Sequence, residues 1–156
     1  MLMPLFQSMN DWGVSVAIRE SIWIYPLVQA VHLLFLVMLV GALLMVDLRL
    51  LGTGLTTQPV PKLARAARPW LVWGLLGLVV TGMPQLLSNA MREYSSDFFW
   101  MKMYVLPTAI VFTFTVRHWV TMSERSSNGG AGKLVGLASI LLWAGVAIPS
   151  RLIGLF

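Results

Sequence analysis

Four long apolar stretches occupy most of this chain, and they decide what it can fold into. They run over residues 22–46, 70–87, 98–120 and 134–153. Each is close to the length of about 20 apolar residues that a helix needs to cross the hydrocarbon core of a bilayer. Because no water in that core can satisfy backbone N–H and C=O groups, such stretches must be helical. The sequence therefore predicts an all-α fold, a transmembrane four-helix bundle that forms a single integral membrane domain over residues 1–156.

The composition supports a membrane protein and excludes several classes of site. Hydrophobic residues make up 58% of the chain and charged residues 11%, whereas a soluble domain carries about 25% charge. The absence of cysteine rules out disulfides, iron–sulfur clusters, thiolate metal sites and covalently attached haem. The net charge of +5 comes from basic residues spread singly through loops, so it does not indicate nucleic acid. The predicted partner of the surface is the lipid bilayer.

The distribution of basic residues predicts the orientation. They concentrate in two loops, between spans one and two (Arg49, Lys62, Arg65, Arg68) and between spans three and four (Arg117, Arg125, Lys133). The positive-inside rule places both loops in the cytoplasm. We therefore expect a multi-pass protein of a bacterial inner membrane with both termini in the periplasm. Residues 1–21 mix apolar and polar positions, and this pattern predicts a short N-terminal interfacial helix rather than a cleavable signal peptide.

A few polar residues inside the spans are the candidates for chemistry, because an ionisable group in a membrane is costly and usually functional. His32 lies roughly 9–14 Å below the outer surface at a rise of about 1.5 Å per residue, and Lys102 begins about 6 Å down the third span. Met83 and Gln85 fall in the same outer half, and Gln29 lies one turn from His32. The outer half is thus predicted to gather a cofactor-binding set: Gln29, His32, Met83, Gln85, Lys102 and Arg151.

Three other polar residues, His118, Asp47 and Arg49, have less specific interpretations. His118 follows Lys102 by about 24 Å of helix, which places it at the cytoplasmic interface. His32 and His118 of one chain therefore cannot be the two axial ligands of one haem. Asp47 and Arg49 would pair at the inner end of the first span or act only as topology signals. His32 itself would either bind a ligand or act as a polar contact between helices, and Lys102 would either join the site or extend to the surface.

Four segments of the chain are distinctive. They are Val31-His32-Leu33-Leu34, the run from Gly41 through Asp47 to Gly52, Phe99-Trp100-Met101-Lys102, and the stretch from Trp143 to Gly154. Together they resemble a family of small, uncharacterised bacterial four-helix membrane proteins over nearly the whole chain. A His early in one helix and a Lys opening a later helix are more distantly similar to the haem-dependent membrane protoporphyrinogen oxidase and to the copper-resistance protein D family. The oxidase resemblance implies that His32 and Lys102 bind haem b, although this chain lacks the second His that often follows that Lys.

Three hypotheses about function follow. The first is a b-type haem protein in electron transfer or oxidoreductase chemistry, with His32 as the metal ligand, and a quinone or a periplasmic redox partner. Its sixth ligand would be Lys102, Met83 or His32 of a second subunit, and Lys102 and Arg151 would pair with the haem propionates. The second is copper handling through His32 and the thioethers of Met83, Met101 and Met103. The third is a scaffold or assembly subunit, for which small residues allow close helix contact within a bundle or a homo-oligomer (Gly74, Gly77, Gly82, Gly136, Gly145).

No nucleophile–base pair, phosphate-binding loop or carboxylate dyad is present, which argues against a hydrolase.

Overall fold

The computed structural model of the protein describes residues 2–153, and the four apolar stretches form four long helical segments. These are α3 (Ile24–Leu51), α4 (Val60–Ser88), α9 (Gly130–Ile153), and a third span in which α6 (Asp97–Phe112) continues through a π-helical turn (Thr113–Arg117) into α7 (His118–Met122). Shorter helices flank them: α1 (Met3–Asn10), α2 (Gly13–Glu20), α5 (Ala90–Tyr94) and α8 (Glu124–Ser127). The described residues contain no strand. The all-α prediction is confirmed; Gly154, which ends the fourth distinctive segment, lies outside the described residues.

The outside of the bundle is apolar, which identifies its surroundings. Large hydrophobic side chains such as Leu34, Val37 and Leu134 are 70% or more exposed. In water an apolar surface of this extent would drive aggregation, whereas in a bilayer it matches the hydrocarbon. All four long segments are long and apolar enough to cross a membrane. The protein is a multi-pass membrane protein.

The second span begins earlier than its apolar pattern indicates. The helix starts at Val60, not near Trp70, with Pro61 in its first turn, where a missing N–H costs little. Pro69, which the apolar pattern places at the start of the span, lies inside α4. A helical turn outside the hydrocarbon can carry polar side chains, so hydropathy alone could not locate this start. At the other side of the loop, α3 ends at Leu51, followed by Gly52 in the left-handed conformation (φ 78°).

The long segments pack in the order α4, α3, α9 and α6, and the fourth side of the bundle is formed mainly where α7 meets α4. We call the end of the bundle at which α3 finishes and α4 begins the basic end, after its Lys and Arg residues. The opposite end, at which α3 begins and α9 finishes, is the terminal end. At the terminal end α1 and α2 replace the single short helix predicted for this segment, and Phe6 of α1 packs on Tyr94 and Phe99 with ring centroids 5.0 and 6.0 Å apart.

Glycines bring α3 and α4 into close contact. A Cβ atom on Gly74 would lie 3.0 Å from the backbone N of Leu39, and the ring of Phe35 lies directly on Gly77. One further step along this antiparallel face brings His32 of α3 beside Thr81 of α4. Without water to drive association, helices in a membrane rely on such close van der Waals contact. The glycine face therefore fixes the distance at which His32 meets α4.

Replacing Gly74 with Val should separate α3 from α4, because the new side chain would meet backbone atoms of Leu39 that cannot move independently. Overpacking of this kind costs about 1–3 kcal/mol, so the unfolding temperature of the purified protein in detergent should fall. Gly41→Val is the matched control, since nothing lies within 4 Å of a Cβ at Gly41. Equal losses in the two variants would contradict a close contact at Gly74.

Candidate functional site

His32 lies inside the bundle with its orientation set by a threonine on the neighbouring helix. Its Nδ1 is 2.8 Å from Oγ1 of Thr81, and the side chain is half-buried between α3 and α4. The Thr81 hydroxyl also donates to the carbonyl oxygen of Gly77 at 2.6 Å. A carbonyl oxygen can only accept a hydrogen bond, and a hydroxyl has only one proton to donate. Thr81 therefore donates its proton to Gly77 and accepts a hydrogen bond from Nδ1 of His32. The imidazole therefore carries its proton on Nδ1.

This arrangement leaves Nε2 of His32 with an unshared electron pair. No residue between 2 and 153 makes a hydrogen bond to that nitrogen. Gly82 lies next to the ring, and a Cβ there would be 3.6 Å from Cε1 of His32. Histidines that bind metals commonly donate their other N–H to a partner that fixes the tautomer and the ring orientation. Thr81 and the backbone of α4 give His32 this form.

Lys102 of α6 lies near His32 and also near a half-buried carboxyl group, Glu93 of α5. Its charge acts on both residues, although no ion pair within 4 Å joins it to Glu93 in the described part of the chain. Burial raises the pKa of Glu93 above its ordinary value, and the positive charges of Lys102 and Arg92 only partly oppose this. Lys102 and His32 are thus both half-buried in the terminal half, their role as a site stays a prediction, and Glu93 is a neighbour that sequence reasoning missed.

The remaining predicted site residues divide into two groups. Gln85, one turn beyond Thr81, has a buried Nε2 atom without a hydrogen-bond partner among the described residues. Gln29, one turn beyond His32, is half-buried. Met83, in contrast, is 58% exposed on the outward face of α4, and Arg151 is exposed near the end of α9. The structure brings Gln85 and Gln29 towards the interior near His32, and it leaves Met83 and Arg151 at the surface of this chain.

A second polar centre lies in the basic half of the bundle, where the sequence suggested only a pair of neighbours. Nε of Arg117 donates to Oδ1 of Asp47 at 2.8 Å, and the hydroxyl of Ser139 donates to Oδ2 at 2.7 Å. Asp47 is 1% exposed and Arg117 5%. Of the two interpretations that the sequence leaves open for Asp47 and Arg49, a pair or topology signals, the pair is wrong: Asp47 binds Arg117, and Arg49 at the end of α3 donates to the carbonyl oxygen of Gln58 at 2.7 Å.

The π-helical turn explains how Arg117 reaches Asp47. Ala109, Thr113, Arg117 and Thr121 are all buried at intervals of four residues. In a straight α-helix each such step advances about 40° beyond a full turn, so three steps would carry the last side chain towards the lipid. The wider π turn at Thr113–Arg117 absorbs this drift. The spacing is visible in the sequence, but the nearby loop favours the interpretation of Arg117 as a topology signal.

Residues 20–156 match a family of unknown function, DUF6644. The chain belongs to this family. The DUF6644 region contains both polar centres and all four spans, whereas α1 and nearly all of α2 precede it. No curated protein matches the chain, and no solved structure does. The predicted membership of an uncharacterised family is confirmed, while the more distant likeness to haem and copper proteins stays a prediction.

Breaking the Asp47–Arg117 pair of this DUF6644 protein on one side should cost more than removing both charges. Asp47→Leu leaves a buried guanidinium unpaired, which costs about 3–5 kcal/mol. The double variant Asp47→Leu, Arg117→Met should recover a large part of that loss, as measured by unfolding temperature in detergent. If the double variant is as unstable as the sum of the two single variants, the two side chains are not coupled in the folded protein.

Glu93 should make stability depend on pH. A carboxyl whose pKa is raised on folding binds its proton more tightly in the folded state, so stability is lost as pH rises from the unfolded value near 4.5 through the folded pKa. Glu93→Gln should flatten this decline in unfolding temperature. Glu20→Gln, which changes an exposed carboxylate at the same end of the bundle, is the control and should leave the decline in place.

Proposed function

We propose that this protein binds haem b in the terminal half of its bundle and serves in electron transfer, with His32 as an axial ligand. The observation that carries the proposal is the hydrogen-bond chain from Nδ1 of His32 through the Thr81 hydroxyl to the carbonyl oxygen of Gly77. It fixes the neutral tautomer whose Nε2 can bind iron. Back-bonding by a helical threonine is ordinary in itself, and what is specific to Thr81 is that it leaves the hydroxyl as an acceptor for the imidazole of His32.

The number of donors favours haem over a bare metal ion. Residues 2–153 contain no group of three or more His, Asp or Glu side chains that could hold a metal. A porphyrin supplies four of the ligands to its iron, so one or two side chains are enough to bind it. A copper site built on His32 would need thioethers as well, yet Met83, Met101 and Met103 are between 45% and 58% exposed. The donor set around His32 therefore fits haem better than copper.

The polar groups around His32 also suit a haem. Lys102 would act as the second axial ligand or as a cationic partner for a propionate. The buried amide of Gln85 has an unused donor, and an unsatisfied buried group costs about 1–3 kcal/mol. An acceptor such as a propionate oxygen would remove that cost. Gln29 lies one turn from His32 on the same helix and offers a further donor, and the exposed Arg151 would interact with propionates only from the surface.

The position of the site suggests where electrons enter and leave. Bound haem would supply a one-electron redox couple whose potential depends on its axial ligands and their hydrogen bonds. The chain's own part is to orient the imidazole through Thr81 and to surround the site with apolar helices. With the basic loops in the cytoplasm, His32 lies in the periplasmic half of a bacterial inner membrane. The partner would then be a quinone in the bilayer or a redox protein in the periplasm.

Removal of the ligand or of its hydrogen-bond partner should change the visible spectrum in different ways. The purified protein should show a Soret band, with α and β bands that sharpen on reduction by dithionite. His32→Ala should abolish haem binding while the protein still inserts. Thr81→Val keeps the shape of the side chain but removes the acceptor, so it should weaken haem retention about 10- to 100-fold, as the loss of a hydrogen bond to a metal-binding histidine commonly does.

The matched control is Thr108→Val. Thr108 of α6 makes the same backbone hydrogen bond within its helix, to Tyr104 at 2.9 Å, but it is exposed and makes no hydrogen bond to a histidine. It should leave the spectrum unchanged. An unaltered Soret band in His32→Ala would overturn the proposal. A colourless wild-type protein that, after incubation with haemin, still shows no Soret band would do the same, and stoichiometric copper in it would favour the second hypothesis.

A further inference from the structure

A small cavity in the basic half of the bundle, with several polar side chains in a mainly apolar wall, is independent of the His32 site. It has a volume of about 30 Å³ and lies where the π turn and α7 pack against α4. Its polar lining consists of Arg68, Thr113, Arg117, His118 and Thr121, and its other walls are apolar. No Asp or Glu lines it. The cavity is thus a small space beside two guanidinium groups with no carboxylate in its wall.

Arg117 has donors left for this space after binding Asp47. Its guanidinium carries five N–H groups, of which one binds Asp47 and one binds the carbonyl oxygen of Leu43 at 3.3 Å. Nη1 makes no hydrogen bond within the described residues, yet it is not among the fully buried unpaired atoms. It therefore faces accessible space, and Arg117 lines the cavity. Asp47 holds one edge of the guanidinium while another edge remains available.

The other polar groups of the lining also present donors. The hydroxyl of Thr113 accepts a hydrogen bond from Nε1 of Trp143 at 3.0 Å, and its own proton has no acceptor among residues 2–153. Thr121 donates back to the carbonyl oxygen of His118 at 2.9 Å. His118 offers an N–H in either protonation state, and Arg68 is exposed at the surface of α4. A cavity of this size admits a water molecule, and hence one oxygen of a phosphate group.

We propose that this cavity binds a phosphate-bearing anion, with Arg68, His118 and the free edge of Arg117 as its donors. Basic pockets between transmembrane helices on the cytoplasmic side bind anionic lipid head groups in this way. The same chemistry would accept either a lipid head group or free inorganic phosphate. In both cases one phosphate oxygen enters the cavity, and the rest of the ligand lies at its mouth beside Arg68.

The test measures how two probes stabilise the purified protein in a neutral detergent. Unfolding temperature is followed by tryptophan fluorescence during titration with dioleoyl phosphatidylglycerol or with inorganic phosphate, and dioleoyl phosphatidylcholine is the uncharged reference. We expect a saturable rise with at least one of the two anions and a smaller one with the reference. Stabilisation by the lipid alone identifies a head group as the ligand, whereas stabilisation by phosphate identifies a free oxyanion.

Variants then locate the binding. Arg117 is left intact, because its loss would leave Asp47 unpaired. Arg68→Gln and His118→Phe should each lower the apparent affinity for the anion, about fivefold for the lost Arg charge. Arg65→Gln is the matched control: it removes a charge from the same helix at the same end, but Arg65 binds the carbonyl oxygen of Pro61 and does not line the cavity. No stabilisation by either anion, or equal loss in Arg65→Gln and Arg68→Gln, would overturn the proposal.

Discussion

The ion pair between Asp47 and Arg117 joins parts of the bundle that otherwise have little contact. α3 packs along α4 and α9, and the third span packs mainly on α9. The guanidinium of Arg117 crosses from the π turn to α3, and Ser139 of α9 completes the carboxylate's hydrogen bonds. In an apolar medium neither charge has water as an alternative partner. The two helices and the third span must therefore come together in one arrangement, in which each charge is satisfied.

The same requirement explains why polar chemistry is confined to two places along α3. His32 and Asp47 are 15 residues apart, which corresponds to about 22 Å of helix. Between them α3 contributes apolar contacts, including Phe35 on Gly77 and Leu39 on Gly74. His32 near the terminal end and the cavity beside Arg117 near the basic end are thus separated by a close-packed segment. Under the two proposals made above, each would bind its own ligand while sharing the position of one helix.

The apolar spans were predictable because hydropathy reports directly on what a bilayer accepts. Two of the polar candidates in the terminal half, His32 and Lys102, stood out for the same reason, because an ionisable group within a span is costly, and both are half-buried. Their role as a binding site stays a prediction. The pair of Asp47 and Arg117 was missed because both residues are near loops, where a charge has an ordinary explanation. That Asp47 binds Arg117 could be recognised only from the packing of α3 against distant parts of the chain. Glu93 was missed likewise, since its burial depends on how α5 folds back over the terminal end.

The π turn has a consequence for how the third span can vary among DUF6644 proteins. It acts as one extra residue within an otherwise regular helix. Deleting a single residue between Thr113 and Arg117 would remove this extra residue, so the chain would continue as a regular α-helix with the following side chains in nearly the same orientation. The intervals between the buried positions would then alternate between four and three residues, a spacing that keeps side chains on one face of an α-helix. A homologous sequence with a one-residue gap at this turn would therefore still direct its arginine towards α3 and keep the buried pair.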